Sequence, residues 1–424
     1  MPLSPDQQEA VNKISAFLNT PEATEYILSG SPGTGKSYVT SEILEVAKKL
    51  NYITICSATT HAAVKVLQDM SGDLAYTIHN VLDLRVQTDY VKDKTYLVKK
   101  PKKSFWRTSK FVKNFLIIDE ASYIDKELDV FIQELITDKN IKILYVGDRN
   151  QLPPVNSTIP YIFTKNIPTS YLTTNHRFDE NSEINRICNE LKFEIENTSY
   201  YIPPIQTAAE IEVLDGEEFQ TKLEQYYTSI EYDVDPYFCK TVAYRNTIVD
   251  GLNDLVRGFL GYKKEFEIGE KVVLTSPYLM NAATNWFTIN NGEIVEILDI
   301  EDGEFYDIKG KNFTIKYLDQ EYSDIFYTPH TRLVSKKKKE LLAEKKYKEV
   351  DAFLSAILRI KPLYASTIHK AQGSSYDNIF IHLDDLFVCK DAALLPRLLY
   401  VALSRAKEKV FIYGEVPNKF HRKK

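Results

Sequence analysis

Residues 30–37 read Gly30-Ser31-Pro32-Gly33-Thr34-Gly35-Lys36-Ser37, and no other stretch of the chain restricts its fold as strongly. The run fits G-x-x-x-x-G-K-[ST], and its flanks have the required form. Tyr26–Leu28 reads as a strand before it, and Val39–Leu50 as a helix after it. Glycines let the backbone curl so that successive N–H groups and the helix N-terminus face one anion. Such a loop suits the phosphates of a nucleoside triphosphate: Lys36 would reach the β- and γ-phosphates and Ser37 would ligate Mg²⁺. A fortuitous glycine-rich turn is the competing reading, and the flanking strand and helix argue against it.

Triphosphate chemistry also needs carboxylates at the end of a neighbouring strand. Phe115-Leu116-Ile117-Ile118-Asp119-Glu120 supplies them. Asp119 would hold Mg²⁺, and Glu120 would orient or deprotonate an attacking water. A third segment, Gly147 to Val155, follows the strand-like run Ile143–Val146. It carries Gln151 where open α/β sheets bind ligands, and Gln151 could sense the γ-phosphate. Read alone, it is an ordinary proline-bounded loop.

Short apolar runs recur at intervals that leave room for helices: Tyr26–Leu28, Ile53–Cys56, Phe115–Ile118 and Ile143–Val146. That rhythm predicts βαβ units and a buried parallel sheet. A second set, Thr241–Tyr244, Leu363–Thr367, Ile379–Leu383 and Val410–Tyr413, predicts another. Inside the second set the texture changes to strand-like runs Lys271–Thr275, Glu293–Leu298 and Phe313–Tyr317, punctuated by Asn290-Asn291-Gly292 and Asp302-Gly303. This predicts a small antiparallel barrel inserted into the second α/β unit. A later stretch, Lys336–Ile357, reads as one amphipathic helix with Leu341, Leu342, Val350, Phe353, Leu354 and Ile357 on its apolar side, a lysine face over a core stripe.

Composition narrows the partners. Lys and Arg number 53 against 59 Asp and Glu, a net charge of −6, so bulk charge cannot coat a nucleic acid. A local basic surface is needed instead. Residues 92–113 hold nine Lys or Arg against the single carboxylate Asp93, with Tyr96, Phe105, Trp106 and Phe111 interleaved. The four cysteines are far apart and lack C-x-x-C spacing, and the seven histidines form no H-x-x-x-H pair. Neither a disulfide framework nor a metal site built from protein side chains is expected. No apolar run reaches about 18 residues and no leader-like segment opens the chain, so a cytoplasmic protein without a membrane span is expected, in a bacterial or phage-infected cytosol.

Together these motifs resemble superfamily 1 helicases, specifically the 5′-to-3′ branch that includes the bacteriophage Dda helicase and the RecD-like and Pif-like enzymes. The likeness runs from Leu3 to Ala406. Leu3-Ser4-x-x-Gln7-x-x-Ala10 resembles the family's Q motif, Ala58 to Ala63 motif Ia, Thr77-Ile78-His79 motif Ib, Asp119 to Ser122 motif II and Gly147 to Pro154 motif III. Leu172 to Phe178 resembles motif IV, Ala365 to Ser375 motif V and Leu399 to Ala406 motif VI.

The resemblance implies an α/β fold of two RecA-like P-loop NTPase lobes, with a β-hairpin inserted in the first and a small SH3-like β-barrel in the second. The implied limits are 1–175 for the first lobe with its insertion at about 84–112, 176–250 with 361–424 for the second, and 251–360 for the barrel. It implies ATP and Mg²⁺ as cofactors. Lys36, Glu120, Gln151, Arg177 and Arg405 would be catalytic; Gln7, Gly30, Gly33, Thr34, Gly35, Lys36, Ser37 and Gly373 would bind nucleotide; Ser37 and Asp119 would hold the metal. Gln7 would read the adenine edge. Single-stranded DNA and its junctions with duplex would be the partner, met at Thr60, His61, Thr77, His79, Thr367 and His369, with Tyr96 as a wedge beside an Asp93-Lys94 hairpin tip. A monomeric motor is implied, with replication or single-strand-binding proteins as candidate partners and replication, recombination or repair as its setting.

The residues alone leave alternatives. Thr60, Thr77 and their neighbours could simply cap helices, and residues 92–113 could be a solvated basic face. A single-strand-binding factor with a degenerate ATPase, or a P-loop kinase of a small acceptor, shares part of the pattern. The full set of Lys36, Ser37, Asp119, Glu120, Gln151, Arg177 and Arg405 speaks against the first. Motifs IV to VI have no purpose in the second. No nuclease-like carboxylate cluster is visible, and no strand cleavage is expected.

Overall fold

The computed structural model describes every residue except 1, 73, 91–93, 100–112, 140, 155–156, 180, 283–284 and 422–424. The chain divides into two compact units, one of Met1–Arg85, Leu97–Val249 and Ser366–Lys424, the other of Val86–Tyr96 and Asp250–Ala365.

The first unit holds two parallel sheets. In the first, the strands run in the order Ala75–Thr77, Tyr52–Ala58, Lys113–Asp119, Ile141–Gly147, Glu25–Gly30 and Thr169–Leu172, every pair parallel. Apolar runs suit this position because both faces are covered. Successive side chains alternate between faces: Phe115 and Ile117 join a cluster with Ile14, Leu28 and Val39, whereas Leu116 and Ile118 join one with Ile27, Ile132 and Tyr145. All four residues of Phe115–Ile118 are fully buried, each contributing about 1.5–3 kcal/mol. The helix Pro5–Asn19 covers one face. Its start is fixed by a Ser4/Gln7 capping box and by proline at the first turn.

The second sheet runs Ala365–Thr367, Cys239–Ala243, Tyr376–His382, Ala406–Tyr413 and Ile211–Leu214. Its core takes in Ile184, Ile187 and Leu191 of the helix Glu183–Glu196, and Leu395, Leu398 and Leu399 of the helix Leu394–Leu403. The chain passes from the first sheet to this core through residues 173–182.

The second unit contains a five-stranded antiparallel sheet, ordered Gln320–Tyr327, Ile308–Tyr317, Ile294–Phe305, Lys271–Leu274 and Ile360–Pro362, and a hairpin of Tyr278–Ala282 with Asn285–Ile289. Its long strands bend at bulges near Ile297/Asp299 and Phe313/Ile315. The stretch Lys336–Ile357 is not one helix. Two helices, Thr331–Ala343 and Tyr347–Ser355, are separated where Lys345 adopts φ 58°. The apolar side survives the break, since Leu341, Val350, Phe353 and Ile357 pack together with Ile308 and Phe326. The break lets both short helices turn that side to one core.

Leu84–Asp89 and Lys94–Lys99 pair as a two-stranded ribbon, while Asp93 and most of the basic stretch 92–113 lie outside the described residues. Tyr90 stacks on Tyr347 with ring centres 6.3 Å apart, its hydroxyl donates to Asp351, and Lys338 Nζ lies 5.5 Å from the ring centre. Among the described residues no helix is long and apolar enough to cross a membrane.

Candidate active site

The strand Glu25–Gly30 delivers the chain into the glycine-rich loop, and the helix Lys36–Lys49 carries it away. Gly33 and Gly35 have φ of 86° and 78°, where a side chain is strained. Space is tight as well: a Cβ on Gly33 would lie 2.7 Å from Arg177 Cβ, and one on Gly35 2.4 Å from Gln7 Nε2, so a neighbour would have to shift. Lys36 Nζ donates to the carbonyls of Gly30 at 2.8 Å and Ser31 at 3.1 Å. Burial lowers its pKa, opposed by the carboxylates of Asp148, Glu120 and Asp119.

Those last two carboxylates sit at the end of the strand Lys113–Asp119. Glu120 adopts φ 52°, a left-handed conformation that a glutamate holds only where its surroundings impose it. Its N–H donates to Asp119 Oδ1 at 2.8 Å. Burial pushes both acids up, and the charge of Asp119 adds to the effect on Glu120. Glu120 Oε2 is buried with no hydrogen-bond partner. Two half-buried carboxylates with one buried oxygen unsatisfied form an acceptor set of the kind that suits a hard divalent cation and its waters, with Ser37 on the same wall.

Two arginines complete the arrangement. Arg177 Nη1 donates to the carbonyls of Ser404 at 3.0 Å and Ala406 at 3.4 Å, and Nη2 to Ser375 Oγ at 3.2 Å. Burial and the neighbouring Arg405 bring its pKa down to about 10. Arg405 is buried and donates to Val401 O at 3.1 Å, Ser374 O at 3.0 Å and Ser404 Oγ at 3.0 Å. Lys36, Ser37, Asp119, Glu120, Gln151, Arg177, Gly373 and Arg405 all line one cavity of about 700 Å³. Gly373, from the second sheet's side, comes within 3.9 Å of Glu120 Oε1 at the position a Cβ would take.

Other candidate nucleotide residues stand behind this wall. Thr34 Oγ1 donates to Ser31 O at 2.8 Å, and Gly30 O receives Lys36. Gln7 Nε2 donates to Thr34 O at 3.1 Å and lies 3.0 Å from His176 Nε2.

The candidate single-strand residues fall on matched features. Thr77-Ile78-His79 and Thr367-Ile368-His369 each join an edge strand to a one-turn helix, Ile78–Val81 and Ile368–Ala371. Thr60 accepts from Ala63 N at 3.2 Å and Thr77 from Asn80 N at 3.3 Å, so both cap helices as their residue type favours. His61 is half-buried beside Thr60 at the start of the helix His61–Ser71. Burial lowers the pKa of His79 and of His369, and Tyr123 donates to the His369 carbonyl at 3.3 Å. Tyr96 is 41% exposed on the ribbon.

Sequence reasoning passed over several residues. Gln372 Nε2 donates to Gln151 Oε1 at 2.9 Å, Arg397 Nη1 to the carbonyls of Arg149 at 2.8 Å and Gln151 at 3.0 Å, and Tyr400 to Asp148 at 2.6 Å. An arginine inside the apolar run Leu394–Leu403 was a readable signal, since a buried cation needs partners. His176 and Gln372 carried no signal beyond their neighbours.

Two parallel-sheet lobes with a P-loop in one, and arginines directed at a shared cavity, define a P-loop nucleotide hydrolase. Residues 2–197 match the family described as an AAA domain, and residues 362–413 the UvrD-like helicase C-terminal domain. The ATP-dependent DNA helicase dda of Enterobacteria phage T4 is 26% identical, over 91% of this chain and 93% of that protein. The RecBCD enzyme subunit RecD of Buchnera aphidicola is 25% identical, over 91% of this chain and 70% of that protein. The Pif1 helicase from Candida albicans superposes with a TM-score of 0.56 at 15% identity, covering 100% of this chain and 97% of that one. The Bacteroides Pif1 helicase in complex with ADP-AlF3 and ssDNA gives 0.54 at 16%, covering 100% and 95%. The fold is the two-lobed RecA-like one, and the chain belongs to superfamily 1 of the helicases, related to Dda, RecD and Pif1.

Proposed function

We propose that the chain is an ATP-dependent DNA helicase that moves 5′ to 3′ along single-stranded DNA and separates duplex by coupling ATP hydrolysis to closure of its two lobes. One observation carries this reading above all: Lys36 and Glu120 of the P-loop lobe line the same cavity as Arg405, which follows the helix Leu394–Leu403 in the core of the other lobe. A cation brought from a second lobe is worth about 10³–10⁵ in phosphoryl-transfer rate. Hydrolysis is therefore fast only when the lobes close, and cleavage of the γ-phosphate removes what holds them together.

Lys36 and the loop amides hold the phosphates, and Glu120, freed of its proton in the loaded site, positions water for attack. Gln151 reports the γ-phosphate through Gln372. Gln7 meets the base, with Gly30, Gly33, Thr34, Gly35 and Gly373 shaping the site. Asp119 and Ser37 would hold Mg²⁺, which when bound neutralises phosphate charge. Thr60, His61, Thr77, His79, Thr367 and His369 grip single-stranded DNA, and Tyr96 on the ribbon divides strands at a junction. The lobe limits implied by the sequence, 1–175, 176–250 with 361–424, and the insertion 251–360, complete the proposal, as do a monomeric motor, single-strand-binding partners and a cytosolic site of action.

The test uses partial duplexes with 5′ or 3′ tails, as DNA and as RNA, with ATP and Mg²⁺. Unwinding only of 5′-tailed DNA, lost in Lys36→Ala, is the expected result. Unwinding from 3′ tails would overturn the polarity, and single-strand binding without any ATP turnover would support a passive binding factor. In the same assay Tyr96→Ala should weaken unwinding while leaving single-strand-stimulated ATP hydrolysis largely intact. Equal loss of both would mean that the ribbon grips rather than divides.

A further inference from the structure

Residues 175–177 touch the P-loop, the first helix and the second lobe within three positions. His176 N–H donates to Gly33 O at 2.7 Å, and its ring lines the cavity. Arg177 reaches Ser375, Ser404 and Ala406. Upstream the segment is fastened to the first lobe, where Asp6 Oδ2 accepts from Thr173 N at 2.8 Å and Thr174 N at 3.0 Å.

The hydrogen-bond inventory of Gln7 decides what His176 does. Its Oε1 accepts from Ser4 N at 3.0 Å, and one Nε2 hydrogen goes to Thr34 O at 3.1 Å. The other faces His176 Nε2 at 3.0 Å, so the imidazole accepts there and carries its proton on Nδ1. Gln7 therefore has no free N–H. A ligand that takes one from this amide displaces either a P-loop carbonyl or the histidine, and the histidine is the side chain that can move. Its backbone is one Cα step, about 3.8 Å, from Arg177.

We propose that His176 is a positioning residue that links Gln7 and the P-loop to Arg177, so that filling the cavity and setting the arginine against the second lobe are one event. The histidine touches no reacting atom and acts through Arg177. This inference rests on the nucleotide-hydrolase reading of the same site.

Single-strand-stimulated ATP hydrolysis, measured as kcat and KM for the full chain, tests it in His176→Ala, His176→Gln, Arg177→Ala and the double variant His176→Ala/Arg177→Ala. His176→Ala should lower kcat by about three- to tenfold, the worth of one hydrogen bond, with a smaller change in KM. His176→Gln should recover most of the loss, because its side-chain oxygen accepts the same Gln7 N–H. In the Arg177→Ala background the histidine change should cost nothing further, the signature of two residues acting as one. Additive losses in the double variant would overturn the proposal. So would His176→Gln behaving like His176→Ala at an unchanged melting temperature. Lys36→Ala separates the two levels: if the wild type turns over ATP and Lys36→Ala does not, additivity sinks the histidine link alone, whereas a wild type without turnover sinks both.

Discussion

The two lobes use the same strand ends differently, and a carboxylate in each shows how. In the P-loop lobe, Asp119 and Glu120 end a central strand with the cations Lys36 and Arg405 nearby, and Glu120 Oε2 is left buried without a partner. In the second lobe, Asp385 follows the central strand Tyr376–His382 and is buried more deeply than either, yet it is fully engaged. Its Oδ2 accepts from Tyr244 N at 2.8 Å and Arg245 N at 2.7 Å, and Oδ1 from the Arg245 side chain. A buried acid with its donors in place is a structural tie. A buried carboxylate oxygen lacking them is held at an energetic cost, and such cost marks sites kept for chemistry.

The largest expected effect comes from removing the second lobe's contribution to the first lobe's cavity. Arg405→Ala should lower single-strand-stimulated ATP hydrolysis by about 10³–10⁵-fold. A smaller, tenfold loss would break the comparison, because the P-loop lobe would then be nearly sufficient alone. Nucleotide binding measured separately distinguishes lost chemistry from lost affinity.

The paired acids come next. Glu120→Gln should cost about 10²–10⁴ in turnover and little in stability, since the buried oxygen of this carboxylate has no donor to lose. Asp385→Ala should do the reverse. It strands two backbone N–H groups and Arg245, at about 2–3 kcal/mol, read as a fall of several degrees in melting temperature. Remaining folded Asp385→Ala protein should keep most of its hydrolysis rate. A Glu120→Gln protein that melts much earlier would show that the carboxylate is structural after all.

What could be read from sequence followed from locality. Phe115–Ile118 announced a central strand because four consecutive apolar residues are buried on both faces, and Asp119-Glu120 followed it directly. The P-loop was likewise contiguous. Strand order was not legible, because Glu25–Gly30 lies between Ile141–Gly147 and Thr169–Leu172 only through long crossovers. The edge strand Ala75–Thr77, three residues long, carries no period of its own. The break at Lys345 escaped because no glycine or proline marks it; a lysine takes the left-handed turn instead. At the site, Gln372 touching Gln151 and His176 touching Gln7 are products of lobe packing, across 221 and 169 residues of chain.

The smallest expected effects come from the matched Thr-Ile-His segments and refine the comparison most. Both threonines are 8% exposed and precede one-turn helices with nearly the same backbone, φ −68° and ψ 147° at Thr77, φ −69° and ψ 151° at Thr367. Only Thr77 caps its helix through its side chain; Thr367 makes no such bond. Thr77→Ala should therefore lower stability by about 1 kcal/mol, while Thr367→Ala should leave the melting temperature unchanged. If both hydroxyls also meet the single strand, each variant weakens its binding by about three- to tenfold, one hydrogen bond's worth, in titrations at fixed salt. Loss of affinity in Thr367→Ala alone would make the second lobe the gripping one, and the first lobe's threonine a helix cap that merely shares its sequence.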